Sequence, residues 1–259
     1  MASRKAKRRR TAPPSPAGFA ADGGGGVDMI SGLCDDVLVR ILERLPDARD
    51  VLRTGALSRR WRGLWTRVSA LRFATEPEFF TQAAAAERYI AFVNDALALR
   101  AAAQTSSDPA AVEHLAVSLK MKRYPEPLER KRERGRKMSR LVVPSVDAAH
   151  GWIRYAVQHG LRSLAVDLRL PARAYGSHGL GLPVMLLGGL PSSDKLETMR
   201  LGLGGAMVTL PAAAQFASLT DLSLERMVIA DVGGDDDSLA RLLSTTTMFV
   251  YASTVLAVG

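Results

Sequence analysis

Leu219-Thr220-Asp221-Leu222-Ser223-Leu224 carries large apolar side chains at its first, fourth and sixth positions. The last two alternate with polar residues, which is the period of a strand with one buried face. The same register occurs at Val112, Leu115, Val117, at Leu161, Leu164, Val166, and at Leu196, Met199, Leu201. Spacing between copies is unequal, whereas spacing within each copy is constant. That combination predicts short strands side by side in a parallel sheet, with returns of variable length on the outside. Trp152, Ile153, Ala156 and Val157 share a helical face before Gly160, a residue suited to close a helix, and Leu239, Leu242 and Leu243 follow Asp237 in the same way. The expected fold class is α/β, with parallel strands and helical returns.

Upstream, residues 28–68 hold three short amphipathic segments. Val37, Leu38, Ile41, Leu42 and Leu45 follow helical spacing, with Asp35 and Asp36 in a first turn where negative charge suits the helix dipole, and the segment ends near Pro46. Asp47 with Asp50 predicts a cap for a second helix carrying Val51 and Leu52. Ser58 is the expected cap of a third, carrying Trp61, Leu64 and Trp65. Three helices this short cannot enclose so many large apolar side chains. The surplus surface either meets a partner or packs on the rest of the chain. Residues 69–110 read as a helical connector, starting near Thr75, Pro77 and Glu78 and burying Ile90, Val93 and Leu97.

The 259 residues are 47% hydrophobic with a mean hydropathy of +0.02, a composition that excludes a wholly disordered chain. The longest nearly apolar stretches, Leu180 to Leu190 and Met248 to Gly259, fall short of the roughly 20 residues a membrane span needs. Net charge is +9, and two segments account for it: residues 1–10 carry +6 and residues 120–140 carry +7, leaving the remainder at −4. The basic character therefore belongs to a tail and a loop rather than to one face of the folded body. Residues 1–27, with Pro13, Pro14, Pro16 and Gly23 to Gly26, read as a disordered basic tail, and 120–140 as an exposed insertion. No apolar stretch follows the N-terminal basic residues as a signal peptide requires.

The residues of catalysis are missing their patterns. His114, His150, His159 and His178 stand in no zinc-ligand spacing, and Cys34 is the single cysteine. Gly202, Gly204 and Gly205 lack the lysine that a phosphate loop places after its glycines, and read as a turn. Asp235 to Asp237 read as a solvated loop that caps a helix. No cofactor and no metal is expected.

The run Asp28-Met-Ile-Ser-Gly-Leu-Cys-Asp-Asp-Val-Leu-Val-Arg-Ile-Leu-Glu-Arg-Leu-Pro46, followed by Arg53-Thr-Gly-Ala-Leu-Ser-Arg-Arg-Trp-Arg-Gly-Leu-Trp65, resembles the F-box of plant F-box proteins with leucine-rich repeats. Leu210-Pro211 and Phe216 to Leu224 resemble the repeats of the same family, so the likeness covers most of residues 28–244. It implies an N-terminal three-helix F-box at 28–68, then a short, irregular leucine-rich-repeat solenoid at 111–244, with an apolar tail at 245–259 that is an atypical cap. Thr247 to Val258 is expected either to add as a last strand or to stay loose.

The resemblance also implies a role: the substrate-recruiting subunit of an SCF-type (Skp, cullin, F-box) ubiquitin ligase, without catalysis of its own. A Skp-type adaptor, and through it a cullin, would dock on Leu33, Cys34, Val37, Leu38 and Ile41, with Leu57, Trp61, Leu64 and Trp65 holding or extending that face. Cys34 stands where the family usually has proline. The protein substrate is unidentified, and the expected location is the nucleus, the cytoplasm or both. Two alternatives stay open. One is a truncated family member that binds adaptor without substrate. The other is a basic nucleic-acid-binding protein using 1–10 and 120–140, disfavoured because Tyr124 is the only aromatic in those segments.

Overall fold

Val68, Leu71 and Phe73, all fully buried, form a further copy of the repeat register in a stretch expected to be helical connector. The structure, a computed structural model, describes residues 29–73, 80, 82–103, 111–121, 128–169, 184–186, 193–204, 206–209, 216–230 and 249–258. The expectations for the tail 1–27, for Thr75 to Glu78, for His178, for Asp235 to Asp237 and for the helix at Leu239 to Leu243 lie outside these residues. Two units are distinguished, 1–34 and 35–259. In the first, the Leu33 amide donates to the Ile30 carbonyl at 3.1 Å and closes a turn.

The second unit is a parallel sheet with helices. Its strands are β1 (Ala70–Phe73), β2 (His114–Lys120), β3 (Ser163–Arg169), β4 (Val184–Leu186), β5 (Thr198–Leu203), β6 (Met207–Thr209), β7 (Asp221–Ala230) and β8 (Phe249–Val258). Spatial order is β1-β2-β3-β5-β7-β6-β4, with β8 also on β7, and every one of these pairings is parallel. The first half of β7 pairs with β5 and its second half with β6. The C-terminal stretch thus takes the first of its two expected forms, a last strand.

One carbonyl per copy fixes the register. The carbonyl of Ser69 accepts from the amides of Glu113 and His114, that of Glu113 from Arg162 and Ser163, that of Arg162 from Glu197 and Thr198, and that of Glu197 from Thr220 and Asp221, all at 2.8–3.2 Å. Each copy enters its strand by hanging two donors on the copy before it. Leu115, Val117, Leu164, Val166, Met199, Leu201, Leu222 and Leu224 then project to one side, where they join α4 (Ala83–Ala103) and α5 (Leu128–Gln158) in one core. Ile90, Val93 and Leu97 of α4 are buried there as expected, and so are Trp152, Ile153, Ala156 and Val157 of α5. Gly160 has φ +62° and closes α5: its amide reaches the Val157 carbonyl and that of Leu161 the Ala156 carbonyl. This six-to-one and five-to-two pair is the glycine-terminated helix end.

Two expectations are corrected. Residues 120–140 are not a loop, because Lys120 ends β2 and 128–140 form the first turns of α5. Glu, Lys and Arg are strong helix formers, and Glu133 lies four residues before Lys137 in the favourable order, so charge density here signals helix rather than insertion. Gly202, read as part of a turn, lies inside β5; the turn follows at Gly204.

The N-terminal helices α1 (Asp35–Glu43), α2 (Ala48–Arg53) and α3 (Trp61–Leu64) precede β1 directly. Asp47 caps α2 as expected, accepting from the Arg49 amide at 2.7 Å. Ser58 does not cap α3; that helix is a single turn beginning after Arg60, whose guanidinium pairs with Asp35 at 2.7 Å instead. Arg100 of α4, fully buried, donates from Nη1 to the Trp65 carbonyl at 3.1 Å and from Nη2 to the Val68 carbonyl at 3.0 Å. Arg100→Met keeps the volume but leaves both carbonyls without these donors. The expected loss is about 2–4 kcal/mol, measured as a lower urea midpoint, with Arg100→Lys recovering part of it. Equal midpoints for wild type and Arg100→Met would show that the two bonds contribute nothing net.

Candidate functional site

Helix α1 separates its apolar residues onto two sides. Leu38 and Leu42 are fully buried, at 0% and 1% exposure, whereas Val37 and Ile41 are 39% and 43% exposed. Val37 and Ile41 are four residues apart and so share one helical face. Leu57, between α2 and α3, is 69% exposed. Three β-branched or branched side chains held this far out of a core are unusual for such a short helical unit, since surface apolar residues gain nothing there unless something covers them.

Ion pairs anchor the buried side. Asp35 pairs with Arg60, and Asp36 with Arg67 at 2.6 Å, tying the first turn of α1 to the segment around α3. At the other end, Glu43 accepts from the Ser69 amide at 3.1 Å and the Ser69 hydroxyl at 2.7 Å. The Ser69 hydroxyl holds the Glu43 carboxyl below its usual range, outweighing the opposing effect of burial. Since Ser69 also supplies the first carbonyl of the staircase, α1 is fastened to the entry of the sheet.

The residues expected to meet an adaptor divide accordingly. Val37, Ile41 and Leu57 are exposed; Trp61 and Trp65 are half-buried. Leu38 and Leu64 are buried at 0% and 3%, so their side chains support the unit from within rather than lie on its surface. Helical periodicity alone does not tell which of two adjacent apolar residues faces the core, and Val37 with Leu38 is such a pair. Leu33 is half-buried and Cys34 exposed, both in the first unit. Sequence reasoning missed Arg100 and Ser69, whose roles lie in backbone carbonyls that no side-chain pattern announces. The strand at 70–73 was also missed, in a stretch read as helical connector, although Val68, Leu71 and Phe73 carry the repeat register.

Among the described residues no group of three or more His, Cys, Asp or Glu side chains is placed to hold a metal ion. No helix among them is long and apolar enough to cross a membrane.

The F-box domain family matches residues 30–73, a range that takes in α1 to α3 and all of β1. A putative FBD-associated F-box protein of Arabidopsis thaliana is 51% identical over 47 residues, which are 18% of this chain and 10% of that protein. An F-box/FBD/LRR-repeat protein of the same plant is 28% identical over 217 residues, 84% of this chain and 41% of that protein. The chain thus matches less than half the length of either relative. No solved structure matches it. Residues 30–73 thus match an F-box domain, and the chain as a whole is similar to plant F-box proteins with leucine-rich repeats.

The pH dependence of Glu43 follows from its pKa direction. A carboxyl held low in the folded state adds stability that is present above its usual value of 4.5 and is lost as pH falls through the folded pKa. Glu43→Gln is expected to be about 1 kcal/mol less stable at pH 7 and to converge with wild type in strong acid. Urea unfolding across pH 2–7 measures this; a gap that persists unchanged into acid would contradict the assignment.

Proposed function

We infer that this chain is a substrate-recruiting subunit of an SCF-type ubiquitin ligase, binding a Skp-type adaptor and through it a cullin. The observation that carries the reading is the outward Val37–Ile41 face of α1 within the F-box match, with Leu57 exposed beyond it. In the second unit Val37, Ile41 and Leu57 are the direct contacts, Trp61 and Trp65 extend the face, and Leu38 and Leu64 hold it from behind; in the first unit Leu33 and Cys34 are each read as adaptor contacts by the family resemblance. The parallel sheet with its helical returns is read as a short leucine-rich-repeat solenoid that holds the target protein. The staircase of carbonyls supports this, because each copy leans only on its neighbour. The chain then acts by raising the local concentration of a target lysine near a conjugating enzyme held elsewhere in the complex, with no chemistry of its own. A nuclear or cytoplasmic site of action goes with this reading.

Val37→Asp with Ile41→Asp would put two carboxylates without partners into the apolar interface. The cost is about 3 kcal/mol or more, a loss of at least about a hundredfold in affinity. Co-expression with a Skp-type adaptor and co-purification tests it: the double variant is expected to lose the adaptor while keeping its melting temperature. Adaptor recovered at wild-type yield would refute the docking face. Cys34→Pro is expected to bind at least as well, since proline favours a first helical position.

A further inference from the structure

Along β7 the alternation of sides breaks at one residue. Leu222 and Leu224 are buried, Ser223 and Glu225 take the open face of the sheet, and Arg226 is due to return to the buried side. Instead Arg226 has φ +52°, the left-handed region that disfavours residues with a Cβ, and Met227 takes the buried side at 2% exposure. Two consecutive charged residues therefore line the same cavity, of about 210 Å3, on the open face. Its floor is made of small residues, Ala165, Gly202 and Ser223.

Gly202 makes the arrangement possible. It sits between Asp167 of β3 and Glu225 of β7 in register, and the Arg226 guanidinium crosses over it to Asp167, with Nη2 2.5 Å from Oδ1. A Cβ at position 202 would lie 2.7 Å from that Nη2 and 3.1 Å from that oxygen. Strained backbone that serves a side-chain bridge across two strands is the kind of outlier that points to a site.

The charges do not balance. Asp167 is approached by Arg226, by Arg169 Nε at 3.1 Å and by Lys120 Nζ at 3.9 Å. Glu225 takes Nη1 of Arg226 at 3.2 Å, and Asp221 takes Arg200 Nη2 at 2.9 Å. Three arginines, Arg169, Arg200 and Arg226, and two carboxylates, Asp167 and Glu225, line the cavity among the described residues. Arg169 and Arg200 are the outermost, with side chains 50% and 65% exposed.

We propose that this cavity binds the anionic groups of an extended acidic peptide segment of the target protein. Arg169 and Arg200 are its ligands, and the Arg226–Asp167 bridge over Gly202 is the strut that holds Arg169 in place. The proposal rests on the recruitment reading and names the chemistry of the target. Fluorescence anisotropy of the full chain with a labelled Gly-Glu-Ser-Glu-Ser-Glu-Gly peptide, its doubly phosphorylated form and its Gln-for-Glu form tests it. Both acidic peptides are expected to bind, more weakly in high salt, and the tighter of the two identifies carboxylate or phosphate as the group read. The Gln form is expected not to bind. Arg169→Gln with Arg200→Gln should weaken binding at least about tenfold, as lost charge-assisted hydrogen bonds would, with the melting temperature and adaptor co-purification unchanged. Gly202→Ala should weaken it with both ligand arginines still present. Wild-type binding by the double arginine variant would overturn the proposal and move the acidic contact elsewhere, as would equal binding of the Gln form. The Val37→Asp, Ile41→Asp variant, expected to keep peptide binding while losing adaptor, separates failure of this site from failure of the adaptor reading.

Discussion

The carbonyls of Trp65 and Val68, where the last helical turn gives way to the first strand, both point at Arg100. A guanidinium is costly to bury and burial pulls its pKa down, so a buried arginine persists where its donors meet acceptors that would otherwise go unmet. Here the need is mutual. The chain leaves a helical region and enters a sheet within three residues; the Trp65 carbonyl takes the Val68 amide at 3.4 Å, and a long side chain from α4 adds a second donor there and one to the Val68 carbonyl.

The other fastenings at this joint depend on the same placement. Tyr89, also on α4, donates its hydroxyl to the Phe73 carbonyl at the end of β1 and lies 3.0 Å from the Ser118 carbonyl of β2, and burial pushes its pKa up. Ala48 of α2 belongs to the same cluster of buried residues as Leu71, Phe73 and Val93. No flexible tether separates the F-box from the sheet, because β1 belongs to both. The placement of α1 to α3 on the sheet is therefore a property of the fold rather than of a linker.

Much of this was legible in the sequence, and the reasons differ by element. The four strands β2, β3, β5 and β7 were readable because the apolar register is rigid, one residue of slip exposing Leu164 or Leu222, whereas β1, β4 and β6 were not read as strands. The two long helices were harder. The N-terminal part of α5 carries its helical signal in charged residues, which serve equally well in a solvated loop, and only its buried second half shows an apolar face. Of the candidate site, the identity of α1 was clear from its spacing, but the choice between Val37 and Leu38 for the outward face depends on where β1 and α3 lie. The Arg226 kink was invisible, since a positive φ at a residue other than glycine or asparagine leaves no trace in composition.

The doubled pairing of β7 bears on how the protein is made. Strands β1, β2, β3, β5, β7 and β8 lie in space in the order in which they leave the ribosome, so each finds its template already folded, and growth proceeds outward from the F-box as in other linear arrays. Strands β4 and β6 break that order. β4 pairs only with β6 among the described strands, and β6 reaches the sheet only through the second half of β7, so both are synthesised before the edge that receives them exists. Helices α1 to α3 precede every strand, while this outer tier waits for Met227 to Ala230 to emerge. A nascent chain therefore holds β4 and β6 for an interval before the second half of β7, the edge that pairs with β6, has been made.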